Sequence, residues 1–129
     1  MKTEILIFLM TFGLAFVHMF LPSIFYSLKK GLGDLAGNRD NLAEIQSLQY
    51  ERAQRANANF KETLPWALAT LILVVVLQKS NSMTAIGAWM YFGGRALYLP
   101  IYVIGIPYVR TLIWGVSIAG IVTMALQLM

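Results

Sequence analysis

Twelve residues, Glu51-Arg-Ala-Gln-Arg-Ala-Asn-Ala-Asn-Phe-Lys-Glu62, run directly into Leu64–Leu77, a stretch that is almost purely apolar. No other feature constrains the chain as strongly. On a helix that advances about 100° per residue, Arg52, Arg55, Asn59 and Glu62 fall within about 80° of one another. Glu44 lies on the same stripe, but Leu48 interrupts it, so the unbroken polar part begins at Arg52. Charges persist beside an apolar span when they face a bundle interior or a ligand cavity. The stripe therefore predicts a polar site between helices.

Only 12% of the 129 residues are charged and 58% are hydrophobic, against about 25% charged in an average soluble domain. The expected fold class is all-α, an integral membrane four-helix bundle. A span needs about 20 mostly apolar residues, and the expected spans are approximately 4–28, 41–78, 83–103 and 108–129 in a single domain. Ile5–Phe25 carries no formal charge and is longer than a signal-peptide core of about 7–15 residues, so it reads as a retained first span. Pro22 and Pro65 are candidate bends. Gly31–Asn41 is loop-like, with Asp40 or Asn41 as a candidate cap for the second helix. The short links Lys79–Ser82 and Gly105–Pro107 make successive spans antiparallel neighbours, and Pro107 suits the first turn of the last helix.

The positive charge is concentrated at one end of the bundle. Lys29, Lys30, Arg39, Arg52, Arg55, Lys61 and Arg110 lie there, against Lys2 and Lys79 at the other. The positive-inside rule then places loop 31–41 in the cytoplasm and both termini on the opposite side, as expected of a bacterial inner-membrane protein. The chain lacks cysteine and has one histidine, His18. Thiolate metal sites, disulfides and a cysteine nucleophile are excluded, and no metal site is expected. The net charge of +4 comes without a basic-aromatic groove, so nucleic acid is not an expected partner. Trp66, Trp89 and Trp114 read as packing or membrane-belt residues, and His18 as a packed or helix-bonded histidine.

Two further clusters carry chemistry. Arg95, Tyr98 and Tyr102 share a helical face with Tyr91 at spacings of three and four. Arg110 stands in the first turn of the last helix, where the dipole already favours an anion. Arg52, Arg55, Arg95 and Arg110 outnumber Glu51 and Glu62, a balance that fits a small zwitterion with two carboxylates. A thiol with a pKa near about 8.5 is ionised more readily beside such a cation. The same arginines could equally pair with Glu51, Glu62 or backbone carbonyls for structural reasons.

The pattern Glu51-Arg52, Arg55-Ala56, Asn59 and Glu62, followed by Pro65, resembles the second-helix hallmark of the membrane-associated proteins in eicosanoid and glutathione metabolism, the MAPEG family. Arg95, Tyr98 and Tyr102 look like its third-helix pattern, and Arg110, Thr111 and Trp114 its fourth-helix trio. The resemblance covers the whole chain. It implies a homotrimer of four-helix protomers that binds glutathione between protomers near the cytosolic side. It assigns Arg55, Asn57, Asn59, Glu62, Arg95, Tyr98 and Tyr102 to glutathione binding and Arg110 to thiolate stabilisation, with Tyr102 as a second catalytic candidate. Lys29 or Lys30 is placed to assist. The implied activity is glutathione transfer to a lipophilic electrophile that arrives from the bilayer lipids, or reduction of a lipid hydroperoxide. A non-catalytic membrane scaffold that keeps the fold is the alternative. A channel is disfavoured, because no continuous polar pore lining exists.

Overall fold

The computed structural model of the protein describes residues 2–31 and 47–129. Glu44, Arg39 and the candidate caps Asp40 and Asn41 lie outside the described residues. Among the described residues there are four helices and no strand: α1 (Thr3–Lys30), α2 (Leu48–Val76), α3 (Ser82–Ile104) and α4 (Pro107–Leu126).

Local chemistry sets the helix ends. Glu4 opens α1 and Lys29 and Lys30 close it, each favourable to the helix dipole. Gly31 stops it at φ 82°, a conformation open to glycine. The described part of α2 starts later than the sequence suggests, at Leu48, where the Ser47 side chain accepts the Tyr50 N–H. Asn81 and Thr84 form a reciprocal capping box at the head of α3. Gly105, left-handed at φ 97°, ends α3, and Pro107 occupies the first turn of α4. Pro22 and Pro65 sit inside helices that run on unbroken through them, so neither divides a helix.

Three of the helices, α1, α2 and α4, are long and apolar enough to cross a membrane. The sequence reading expected four such spans. α3 has the length, 23 residues or about 35 Å at 1.5 Å per residue. Its composition is less apolar because it carries Gly87, Gly93, Gly94, Pro100, several tyrosines and Arg95. The packing gives the reason. α3, like α2, touches the other three helices, whereas α1 and α4 share no contact among the described residues. The residues that lower its apolarity, Gly87, Tyr91, Gly94, Arg95 and Tyr98 among them, are buried against these neighbours, while Met83, Ile86, Trp89 and Leu97 give it an apolar outer face.

Small residues let α3 and α4 approach closely, as is common where helices meet without a hydrophobic driving force. A Cβ added at Gly87 would lie 2.7 Å from the Gly120 carbonyl oxygen, and one at Gly94 would lie 3.0 Å from the Ile113 carbonyl oxygen. Toward the end of the bundle where α1 begins, Ile7, Leu71, Val74, Ala88 and Met124 form one core. There the buried Glu4 carboxylate accepts the Thr84 hydroxyl, which ties α1 to α3. Toward the other end, Ala56, Tyr98 and Leu99 form a second core with Leu21, Tyr102 and Ile113 around it.

Candidate functional site

A cleft of about 190 Å³ opens where α2 begins, α3 ends and α4 begins. Arg52, Arg55, Tyr102, Gly105, Pro107 and Arg110 line it, with no carboxylate among them. Three guanidiniums therefore converge on one space. The Tyr102 ring is its centre. The Arg110 guanidinium carbon lies 4.4 Å from the ring centroid and that of Arg55 lies 6.0 Å away, within the range at which a ring face attracts a cation. Tyr98 meets Tyr102 edge-on at 5.5 Å and holds the ring from inside the bundle.

A second layer lies beneath the cleft. Arg95 is fully buried, at 0% exposure. Its Nη1 donates to Asn59 Oδ1 at 2.9 Å, and its guanidinium carbon lies 4.6 Å from the Tyr98 centroid and 5.5 Å from that of Phe60. Its Nε and Nη2 have no hydrogen-bond partner. Burying a charge is costly unless it is paired, and here one amide oxygen and two ring faces supply the compensation. His18 of α1 completes the layer, stacked on Phe60 at 4.2 Å and 5° between planes.

The expected stripe on α2 thus divides among different tasks. Arg55 reaches the cleft. Asn59 turns inward to Arg95. Arg52 lines the cleft and also donates through Nη1 to the carbonyl oxygens of Val103 and Ile104, each at 3.2 Å. Glu62 and Glu51 are exposed on the surface of the chain rather than inside the bundle, and Asn57 is half-buried. None of these three lines the cleft. Of the third-helix residues, Tyr102 faces the cleft, while Arg95 and Tyr98 form the floor below it. Thr111, Trp66, Trp89 and Trp114 are exposed, and Lys29 and Lys30 are exposed at the end of α1.

A shallower depression of about 340 Å³ adjoins the cleft through Arg55 and is walled by Glu51, Gln54, Arg55 and Ala58. All four belong to α2, so among the described residues this space has one wall.

The sequence left Arg52 open between a ligand and structural partners that included backbone carbonyls, without indicating that those carbonyls stand at the end of α3. The free carbonyls at a helix end are foreseeable, but which side chain meets them is not. The Glu4–Thr84 link and the His18–Phe60 stack were likewise beyond reach, because each joins helices distant in the chain.

Residues 5–129 match the model of the MAPEG family. Neither a curated protein nor a solved structure matches the chain.

Proposed function

The chain belongs to the MAPEG family, and from that membership together with the arginine-lined cleft we propose that it binds glutathione as a thiolate and transfers it to a lipophilic electrophile, or uses it to reduce a lipid hydroperoxide. The observation that carries this reading is the cleft that Arg52, Arg55 and Arg110 line together with Tyr102, with no carboxylate among its described lining residues. Such a space favours an anion, and glutathione brings two carboxylates and an ionisable thiol. Arg55 would hold a carboxylate, and Arg110 would face the sulfur. Glu62 and Asn57 would engage glutathione from the outer face of α2, and Asn59, Arg95 and Tyr98 would support the floor. The thiol proton leaves to water. The thiolate sulfur then forms a bond to the electrophilic carbon as the carbon–leaving-group bond breaks. Binding, orientation and charge stabilisation supply the catalysis.

Assembly as a homotrimer is proposed with it, and the depression beside Arg55, walled among the described residues by α2 alone, is where a neighbouring protomer would pack. Glutathione titrated into the detergent-solubilised protein should produce a thiolate absorbance band, a generic chlorinated aromatic should be turned over, and the detergent-corrected mass should equal three protomers. No band with an intact assembly would remove the glutathione reading. A band without turnover of any electrophile would favour the scaffold. Four spans are proposed, α3 included, with the arginine cleft facing the cytoplasm because the basic residues concentrate there. A reporter active only in the cytoplasm should be silent when fused at Met129; signal from it would reverse the orientation.

A further inference from the structure

We infer that Arg52 is a positioning residue that acts through the end of α3 to set where Arg110 stands. The inference rests on the thiolate role proposed above for Arg110.

The last carbonyls of a helix have no partner within it, and in a membrane each unsatisfied carbonyl is costly. At the end of α3, the backbone N–H groups of Gly105 and Ile106 both return to Ile101. Arg52 Nη1 takes Val103 and Ile104 together. The link from α3 to α4 is only Gly105 and Ile106, so a displacement of Ile104 carries Pro107 and the first turn of α4 with it. Arg110 stands in that turn. α2 is itself anchored against α3 one turn further on, where the buried Ala56 packs with Tyr98 and Leu99. Arg52 therefore braces the α3–α4 corner against a fixed helix.

Two observations separate this role from that of a ligand-binding cation. The guanidinium lies on the negative end of α3, whose carbonyls compensate its charge, whereas Arg55 and Arg110 rest on the Tyr102 ring. It also lies directly against Gly105. A Cβ there would fall 2.5 Å from Arg52 Nη1 and 2.7 Å from its Cζ. The backbone at Gly105 favours glycine by its φ of 97°, and the packed guanidinium adds a second reason for the absence of a side chain.

The test is a set of variants in the full detergent-solubilised protein, read by pH titration of the glutathione thiolate band and by steady-state kinetics. Arg52→Gln should lower kcat by about 10- to 100-fold, the scale of a small misplacement at a reacting centre. It should raise the thiolate titration midpoint in the same direction as Arg110→Ala, while KM for glutathione changes by less than about threefold. Gly105→Ala keeps the Arg52 charge but displaces it, and should reproduce the effect. Arg52→Gln combined with Arg110→Ala should be no worse than Arg110→Ala alone, because the two act through one contact. A raised KM with kcat retained would make Arg52 a direct ligand and overturn the inference. So would an additive double variant or an unchanged titration. If the wild type shows no thiolate band, the glutathione reading fails first, and the brace is judged by hydrogen exchange without ligand. Lost protection of the Gly105 and Ile106 amides, which donate to Ile101, in Arg52→Gln then supports it, and unchanged protection overturns it.

Discussion

Arg110→Ala is expected to lower turnover by about 100- to 1,000-fold, the range seen when one preorganised charge-stabilising donor is removed, while glutathione binding weakens far less. Arg110 lies in the first turn of α4, where the helix dipole adds to its own charge. It rests on the Tyr102 ring at 4.4 Å, which holds it in place without neutralising it. No carboxylate lines the cleft among the described residues, so its field falls on whatever anion enters. The stabilisation acts on the thiolate form and little on the thiol, so its loss should raise the pKa of bound glutathione. In sign, the thiolate band of Arg110→Ala should appear only at higher pH than that of the wild type. Arg110→Lys should recover the charge but only part of the rate, because an ammonium lacks the planar fork. The measurements are a pH titration of thiolate absorbance under saturating glutathione and kcat against a chlorinated aromatic. If both proteins titrate at the same pH and turn over alike, Arg110 is structural and Tyr102 becomes the candidate.

The second large effect is on assembly of the bundle. Gly120→Val should destabilise the protein by about 3 kcal/mol or more, beyond the usual cost of overpacking a core. A Cβ at Gly120 would lie 2.5 Å from the Gly87 carbonyl oxygen and 2.7 Å from the Tyr91 backbone nitrogen. Both are backbone atoms of α3, so relief requires the helices to separate. Separation would also move the cleft, since the same two helices carry Tyr102 and Arg110. Gly115 is the control on the same helix. A Cβ there meets nothing within 4 Å, so Gly115→Ala should leave the fold intact or stabilise it by up to about 1 kcal/mol through helix propensity. Thermal melts of the detergent-solubilised variants decide the matter. Similar melting temperatures for Gly120→Val and Gly115→Ala would refute the close approach of α3 and α4.

The sequence alone determined which segments are helical and where most of them end. Those signals act within a turn of the residue that carries them: the loop-like stretch that opens at Gly31, the short links Lys79–Ser82 and Gly105–Pro107, and proline at the head of α4. The apolar length of α1, α2 and α4 was equally plain, because compatibility with lipid is a property of each segment by itself. So was the surplus of arginine over carboxylate, a matter of counting. What each arginine does was left to the tertiary structure. Arg52, Arg55 and Asn59 occupy one arc of α2, but three neighbours receive them: the end of α3, the open cleft and the buried Arg95. An arc on a helix states a direction only to within tens of degrees, and a long side chain can reach any polar group in that sector. Which group is there depends on how far α3 and α4 close on each other, and that distance is set by Gly87, Gly94, Ser117 and Gly120. The same holds for α3 as a whole. Its arginine, glycines and tyrosines look like defects in a membrane span until its three neighbours are in place, because burial against protein, unlike burial in lipid, cannot be read from one segment.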